Sequence, residues 1–578
     1  MQDASLANRT EGHTDWQRVN WRQANRRVRN LRQRIFRATR QGDWDKVQSL
    51  QRLMLRSHAN TLVSVRRVTQ VNQGKYTAGV DKLVVKTPEA RGRLVDHLST
   101  YQPWTAKPAR RVYIPKANGR LRPLGIPTVI DRCQQARVKN ALEPSWEARF
   151  EGTSYGFRPG RGCHDAIVRI STLARGDARR KWVVDGDIQA AFDNMSHAHI
   201  LSAVGSFPAR ELIKQWLKAG YVDNGVFHDT PTGTGQGSVI SPLLANVALH
   251  GMEEALGVTY DSGGFTRTSS RVLVRYADDW VVFCETKEDA EAVIGLLTDW
   301  LAQRGLRLSP EKTRIAHLTD GFDFLGFNVR LYKTRRRRAG YVLLIKPSTE
   351  SVRKIRETLR HDWDHLHGHN VAAVIKHLNP VIRGWANYFR AEVASETFGD
   401  MDRFMFAREK RYAHKAHPRK PFAWRKARYW GTLNPKRNDT WVFGDKQTGA
   451  YLLKFRWFKI ARHILVRGTA SPDDPALREY WAARYTARAK DLAPSYQKLA
   501  RDQGYVCRAC GDSLFNAEEL HKHHKEPRAL GGKDSYANLE LTHLYCHQQI
   551  HAGKAEIAEI IDVPAHEPTR AWLRKWFA

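Results

Sequence analysis

The chain has 578 residues, of which 42% are hydrophobic, and its 95 Lys and Arg against 59 Asp and Glu give a formal net charge of +36. This length is enough for about three or four domains, and the hydrophobic and aromatic content argues against a disordered chain. A positive charge of this size favours nucleic acid as the partner.

A membrane surface is the alternative partner for a basic chain, and the sequence shows no anchor. No apolar stretch approaches the roughly 20 residues that span a bilayer, and there is no amphipathic basic anchor or lipidation motif. The N-terminus, MQDASLANRT, lacks the pattern of a signal peptide. We therefore expect a cytoplasmic protein. In a bacterium it would lie in the cytoplasm or the nucleoid.

Hydrophobic periodicity divides the first two thirds of the chain. Helical spacing through residues 16–71 predicts a helical N-terminal extension over residues 1–72. The runs KWVVDGDI and RVLVRYADDWVVF predict strands, and EDAEAVIGLLTDWLAQRG predicts a helix ended by its glycine. Interleaved strands and helices indicate an α/β or α+β core over residues 73–345. The basic run KTRRRR (333–338) predicts a hairpin or loop tip, either solvated or in contact with phosphate.

The remaining chain divides into four predicted segments. Residues 346–430 are mostly helical by pattern, and residues 431–498 are basic and aromatic around KFRWFKIARHILVRG. Pro472 and Pro475 mark a boundary or linker. A Cys/His-rich module follows at residues 499–562, with a tail at 563–578. Three of the six cysteines cluster in this module, which suits metal ligands better than a disulfide framework.

Three acids are candidate metal ligands. Asp278 and Asp279 lie between two strand-like runs, so a tight hairpin would place them at its tip. Asp187 follows another apolar run, and two strands ending side by side would bring it to Asp278. Carboxylates suit Mg²⁺, and two such ions clamp the oxygens of an in-line phosphoryl transfer. An Asp–Asp pair alone is also an ordinary turn former.

The sequence YADD (276–279) resembles the signature of reverse transcriptases, and further blocks follow in that family's order. These blocks are RRVYIPKANGRLRPLGIP (110–127), SYGFRPGRGCHDAI (154–167), GDIQAAFDNM (186–195), GTGQGSVISPLLANVAL (233–249), GLRLSPEKT (305–313) and FDFLGF (322–327). SVRRVTQVNQGKYTAGVD (64–81) and VIRGWANYFR (381–390) extend the resemblance to the group II intron-encoded proteins, over nearly the whole chain.

The resemblance implies a multidomain α+β fold. Residues 73–345 would be the fingers and palm of a right-hand polymerase, and residues 346–430 a helical thumb or maturase (X) domain. Residues 431–498 would be a DNA-binding region, with a basic stripe that positions DNA. The stripe comprises Lys454, Arg456, Lys459 and Arg462, with Trp457 and Phe458 between them. We expect Trp385, Tyr388 and Phe389 to be core residues.

The resemblance also assigns roles in the polymerase. Asp187 and Asp278 would hold two Mg²⁺ ions, with Asp279 less direct. Lys116 and Arg122 would bind the triphosphate, and Phe192 would be a ribose gate or simply a core aromatic. Gln236 would contact the nascent base pair, and Lys312 would donate a proton to the pyrophosphate. Leu325 and Gly326 would form a turn that grips the primer. The chain departs from the family at Gly235, where Pro is usual, which loosens the loop.

The C-terminal module carries two sets of candidate metal ligands. One set, with the spacing of a closed tetrahedral Zn²⁺ site, is Cys507, Cys510, His543 and Cys546. A redox pair is the alternative, but the context of a thioredoxin-like motif is missing.

The interleaved run HHKEPRALGGKDSYANLELTHLYCHQQIH resembles the HNH nucleases. By that resemblance His523, His547 and His551 would bind one divalent cation, Mg²⁺ or Mn²⁺. His524 would be the general base and Asn538 would orient its loop. A zinc ribbon that binds DNA without cutting is the alternative, but it leaves these extra histidines unexplained.

The expected function is that of a mobile-element protein. It would bind its group II intron RNA as a ribonucleoprotein, promote RNA splicing, nick target DNA and prime reverse transcription from the nick (retrohoming). Its substrates would be an RNA template with a DNA primer and deoxynucleotides. A maturase-only splicing factor and a domesticated reverse transcriptase are the alternatives. The sequence does not indicate an oligomeric state.

Overall fold

The N-terminal helices bury the apolar stripe that their sequence predicts. The computed structural model describes residues 13–100, 104–115, 119, 121–260, 270–489, 492, 494–516 and 518–552. The N-terminal helices are α1 (Trp21–Arg40), α2 (Trp44–Arg56), α3 (His58–Arg66) and α4 (Pro88–Ser99). Side chains of Asn20 and Asp43 cap α1 and α2. α3 continues into a π-helical turn, Arg67–Val71.

Strands and helices alternate through the middle of the chain, which confirms the mixed α/β prediction. They are β1 (Ala109–Pro115), β2 (Leu121–Ile126), α5 (Val129–Glu147), α6 (Cys163–Leu173), β3 (Trp182–Gly186), α7 (Ala191–Asn194), α8 (His197–Val204), α9 (Arg210–Lys218), β4 (Tyr221–Asp223), β5 (Val226–His228), α10 (Ser241–Ala248), α11 (Met252–Ala255), β6 (Val272–Tyr276), β7 (Asp279–Cys284), α12 (Lys287–Ala302), β8 (Arg314–His317), β9 (Phe322–Phe324), β10 (Phe327–Lys333) and β11 (Tyr341–Pro347).

A four-stranded antiparallel sheet of order β6-β7-β3-β8 forms the centre of this region, and we call it the central sheet. β6 and β7 form a hairpin that pairs Tyr276 with Asp279. β3 is antiparallel to β7 and pairs Gly186 with Trp280. The register therefore brings the end of β3 beside the tip of the hairpin. Buried Val, Trp and Phe side chains hold these strands between packed layers.

The middle of the chain also forms two smaller sheets. One has the order β2-β1-β4-β5, and the other has the order β11-β10-β9. The run KTRRRR begins at the end of β10 and forms the exposed tip of the β10–β11 hairpin, as its sequence predicts.

The rest of the chain begins helical and ends in a small ββα module. The elements are α13 (Thr349–His365), α14 (Val371–Phe389), α15 (Ser395–Ala416), α16 (Phe422–Tyr429), β12 (Trp430–Gly431), β13 (Val442–Asp445), β14 (Ala450–Tyr451), α17 (Arg478–Arg488), α18 (Pro494–Asp502), β15 (Leu520–His524), β16 (Leu539–His543) and α19 (Leu544–Ala552). Phe389 is buried in the helical core, with Trp385 and Tyr388 packed against it. The predicted tail lies outside the described residues. No helix in the described part of the chain is long and apolar enough to cross a bilayer.

Two side chains of the predicted basic stripe form ion pairs within the protein. Lys454 Nζ lies 2.8 Å from Asp439 Oδ2, and Arg462 forms an ion pair with Glu392. Arg456 and Lys459 remain exposed. Half of the stripe is therefore engaged within the protein and contributes less to an outward-facing charge.

Glu409 is a buried acid in the core of the helical domain. Its Oε2 accepts a hydrogen bond from Trp430 Nε1 at 2.9 Å. Burial raises the pKa of the Glu409 carboxyl to about 7. Because this pKa lies above that of the unfolded chain, the carboxyl's contribution to stability is complete at low pH and is lost as the pH rises through about 7.

The substitution Glu409→Gln keeps an acceptor for Trp430 and removes the charge. We expect it to raise the melting temperature by a few degrees at about pH 8.5 and by little at about pH 4, where the carboxyl is protonated in the folded and the unfolded chain alike. Differential scanning calorimetry of the full chain measures this, with Glu291→Gln on the exposed face of α12 as the control. An equal shift at both pH values would contradict the assignment.

Candidate functional site

Three carboxylates meet at one end of the central sheet. Asp187 follows β3, and Asp278 and Asp279 form the tip of the β6–β7 hairpin. Burial raises the pKa of Asp278, and the charge of Asp187 raises it further. Desolvation by the surrounding chain raises the pKa of Asp279 to about 7, with repulsion from Asp278 and Asp187 adding to it, although its side chain still reaches solvent at the tip. This repulsion would be relieved by cations bound between the acids.

The hairpin turn depends on a strained backbone. Ala277 has a φ of +60°, in the left-handed region that is costly for a residue with a side chain. Arg275 is fully buried behind the turn, and its Nη1 donates to the Ala277 carbonyl at 3.2 Å. Gly156 lies against the other side, where a Cβ atom would come within 2.3 Å of the Ala277 nitrogen. These contacts fix the direction of the two acids.

Two predicted cations lie near the acids. Lys312 Nζ is 2.9 Å from Asp187 Oδ2. Arg122, on β2, is close enough to lower the pKa of Asp278. Lys116 lies outside the described residues. An arrangement of carboxylates next to cations suits a metal-bound polyphosphate, because the acids bind the metal and the cations bind the phosphates.

The donor set fits Mg²⁺. Carboxylate oxygens are the hard ligands that Mg²⁺ prefers, and a pair of such ions would share the three acids.

A cavity of about 410 Å³ opens between the β2-β1-β4-β5 sheet and the loop that precedes α10. Phe192 and Gln236 both line it, together with Arg111 and Tyr113 of β1. The Gln236 carbonyl accepts a hydrogen bond from the Gly125 amide at 2.6 Å, which ties the loop to β2. Phe192 is half-buried, so one side of the ring packs on the core and the other faces this cavity. At Gly235 a Cβ atom would meet nothing within 4 Å.

Phe157 is a candidate site residue that the sequence did not indicate. It has a φ of +59° and is 48% exposed, an uncommon combination for an aromatic residue. Its ring centroid lies 6.3 Å from that of Phe192, edge to face. The motif SYGFRP marked this segment, but no local pattern marks a left-handed phenylalanine.

The predicted primer-gripping turn joins β9 and β10. Leu325 and Gly326 both have left-handed backbones, with φ of +48° and +80°. The Tyr388 hydroxyl of α14 donates to the Leu325 carbonyl at 2.8 Å, and Ser351 Oγ of α13 donates to the Gly326 carbonyl at 2.9 Å. The helical domain therefore holds this turn directly, a role of Tyr388 that its helical spacing did not reveal.

The predicted zinc ligands come together in the C-terminal module. Cys507, Cys510, His543 and Cys546 are all buried, and their ligand atoms lie within 4.8 Å of one another. His543 Nδ1 lies 3.3 Å from Cys510 Sγ, and its Nε2 lies 3.1 Å from the Ser513 carbonyl. Because Nε2 carries the proton that this carbonyl accepts, Nδ1 is unprotonated and can bind a metal. Three sulfurs and one nitrogen in a closed, buried set fit structural Zn²⁺.

Three histidines form a second group. His523 lies on β15, while His547 and His551 lie one turn apart on α19, and their ligand atoms are within 4.8 Å of one another. Burial, followed by the charges of neighbouring imidazoles, lowers the pKa of His547 to about 4. The neutral imidazole is the form that binds a metal.

His524 adjoins this group on the other face of β15, because successive residues of a strand alternate. Its Nε2 lies 2.6 Å from Asp534 Oδ1, a partner that the sequence did not indicate. Asn538 Oδ1 accepts from the Glu526 amide at 2.8 Å, and its Nδ2 donates to the Lys533 carbonyl at 3.0 Å. Asn538 thus holds the loop that follows His524.

Family models match four parts of the chain. "Reverse transcriptase (RNA-dependent DNA polymerase)" matches residues 114–329, and "N-terminal domain of reverse transcriptase" matches residues 16–98. "Group II intron, maturase-specific domain" matches residues 351–430, and "HNH endonuclease" matches residues 507–553.

Two relatives are similar over about half of this chain. Protein YkfC of Escherichia coli (strain K12) is 37% identical over 335 residues, which cover 50% of this chain and 85% of YkfC. The group II intron-encoded protein LtrA of Lactococcus lactis subsp. cremoris is 30% identical over 357 residues, which cover 49% of this chain and 59% of LtrA. The chain therefore spans less than two thirds of LtrA. A structure of telomerase from Candida albicans aligns with a TM-score of 0.31 and 12% identity, over 54% of this chain and 59% of that one.

The close packing of Gly156 on the hairpin turn gives a test of the site's geometry. Gly156→Ala should displace the turn, because its Cβ atom would overlap the Ala277 amide. We expect the free energy of unfolding to fall by about 1–3 kcal/mol and the affinity for Mn²⁺ at the acids to fall as well. Urea unfolding and Mn²⁺ titration followed by electron paramagnetic resonance measure the two effects. Gly162→Ala is the control, because a Cβ atom there meets nothing within 4 Å. Equal effects of the two variants would refute the role of Gly156.

Proposed function

We propose that this chain, which belongs to the reverse transcriptase family of group II intron-encoded proteins, copies its intron RNA into DNA after nicking a DNA target. The observation that carries the polymerase is the convergence of Asp187, Asp278 and Asp279 beside Lys312 at one end of the central sheet. Reverse transcriptase, maturase-specific and HNH endonuclease domains occur together in the chain, which supports a combined role.

Asp187 and Asp278 would hold a pair of Mg²⁺ ions, with Asp279 beside them. When bound, such a pair stabilises the attacking and leaving oxygens of an in-line phosphoryl transfer. Lys312 balances the charge of Asp187 in the free protein. When a nucleotide binds, the ammonium group of Lys312 would turn to the leaving pyrophosphate and donate a proton there. Arg122 and Lys116 would bind the triphosphate.

The cavity lined by Phe192 and Gln236 would select the nucleotide. Phe192 presents one side of its ring to this cavity, where it would crowd a ribose 2′-hydroxyl and favour deoxynucleotides. Gln236 lines the same cavity and would lie near the new base pair. Leu325 and Gly326 would hold the primer strand, since the helical domain fixes their carbonyls.

The nucleic acid partners follow from the family and the charge. The group II maturase-specific domain, residues 351–430, supports binding of the intron RNA and assistance to its splicing. Arg456 and Lys459 are the cations of the predicted stripe that remain to contact DNA phosphates. Our proposed domain limits are 1–72, 73–345, 346–430, 431–498 and 499–562. Splicing, nicking and primed synthesis would then be successive steps of retrohoming.

Primer extension on an RNA template with Mg²⁺ and deoxynucleotides tests the polymerase. Asp278→Ala should lower the extension rate by more than about 100-fold, because loss of a metal ligand costs more than loss of a group that only orients a ligand. Asp299→Ala, an exposed acid on the outer face of α12, should leave the rate unchanged. Absence of extension by the unaltered chain, together with tight binding of intron RNA, would replace our proposal with the maturase-only alternative.

A second activity, DNA nicking, is favoured by the three clustered histidines beside the His524–Asp534 pair. His523, His547 and His551 would hold a divalent cation, which when bound polarises the scissile phosphate. His524 would take the proton of the attacking water, and Asp534 would orient its ring.

Cleavage of a labelled DNA duplex by the ribonucleoprotein tests the nicking activity. His524→Ala should lower the nicking rate by about 100-fold or more, the usual contribution of a general base, while primer extension on a free primer stays intact. His361→Ala, an exposed histidine on α13, is the control. Binding of duplex without cleavage by the unaltered protein would favour a zinc ribbon that only binds DNA.

A further inference from the structure

The C-terminal module lies directly on the N-terminal helices, although the two are separated by more than four hundred residues of chain. From α1, Asn25 Nδ2 donates to the Cys510 carbonyl at 3.4 Å, and Arg29 Nη2 donates to the Gly511 carbonyl at 3.2 Å. From α19, Gln549 Nε2 donates to the Val19 carbonyl at 3.0 Å. Both halves of the module therefore contact the N-terminal extension.

Arg66 is the centre of this contact. It is the last residue of α3 and is only 5% exposed. Its Nη2 lies 3.2 Å from Cys546 Sγ and 3.2 Å from Glu518 Oε2. Its guanidinium carbon lies 4.7 Å from the centre of the Trp21 ring. A guanidinium group from one end of the chain is thus buried against a metal-ligating sulfur from the other end.

The charge of the metal site accounts for this arginine. Three thiolates and one neutral imidazole around a divalent cation leave one net negative charge, and Glu518 adds a second. A buried negative charge is costly unless a cation balances it. Arginine stays charged and offers several donors in one plane, so it can bind the thiolate and the carboxylate together.

We propose that the loaded Cys₃His site is a latch that fastens the C-terminal module to the N-terminal helices, with Arg66 as its positioning residue. The cation brings Cys507, Cys510 and Cys546 together, and this places Cys546 Sγ and the carbonyls of Cys510 and Gly511 where α1 and α3 bind them. The three cysteines and the N-terminal apolar side chains share one hydrophobic core. Loss of the cation would therefore expose α1 and α3 to solvent.

The test uses the full chain loaded with Zn²⁺. Arg66→Met removes the positive charge of the guanidinium group but keeps most of the apolar volume of the side chain. We expect Zn²⁺ transfer from this variant to a chromophoric chelator to become about 10- to 100-fold faster. Hydrogen exchange of α1 and α3 should rise in the same variant. Arg66→Lys, which keeps the charge but not the planar set of donors, should lie between. Arg67→Met is the matched control, because Arg67 is the next residue and is exposed.

Transfer of Zn²⁺ at the unaltered rate from Arg66→Met would overturn the role of Arg66. A second measurement does not depend on any variant. Removing Zn²⁺ from the unaltered chain should raise hydrogen exchange in α1 and α3 as well as in the module. If only the module responds, the latch is wrong even where Arg66→Met fails to fold. Neither readout depends on nicking or primer extension, so failure of the proposed activities would be seen separately.

Discussion

The burial of neighbouring carboxylates at one end of the central sheet is the constraint on which the surrounding structure depends. Burial raises the pKa values of Asp278 and Asp279, and repulsion between the acids raises them further. Only a rigid support keeps them in place. The buried Arg275 and the closely packed Gly156 hold the turn from two sides, and the left-handed Ala277 stores strain that this support maintains. The folding stability is lower here because the acids are held close together, and bound cations and phosphates would complete the site.

Much of this organisation could be predicted from the sequence, because it is local. Helical periodicity gave the N-terminal helices, and the apolar runs around YADD gave the central hairpin. Antiparallel pairing then brings Asp187 to the hairpin tip without further information. The ligands of the Cys₃His site were likewise evident, since two short pairs of ligands at a suitable separation imply a single metal.

What could not be predicted depends on contacts between distant segments. The exposed ring of Phe157 follows from a left-handed backbone that no residue type announces. Asp534 is one acid among many until folding places it against His524. Lys454 belongs to a basic stripe in sequence but binds Asp439 in the fold. The net charge of a sequence predicts a polyanionic partner, whereas the tertiary structure determines which charged side chains remain able to contact that partner.

The bonds from Tyr388 and Ser351 to the turn at Leu325 and Gly326 have a mechanical consequence. Helices α13 and α14 each hold one carbonyl of the turn, so a displacement of either helix would displace the turn. Under the proposed primer-gripping role, the position of the primer strand would then be coupled to the position of these two helices.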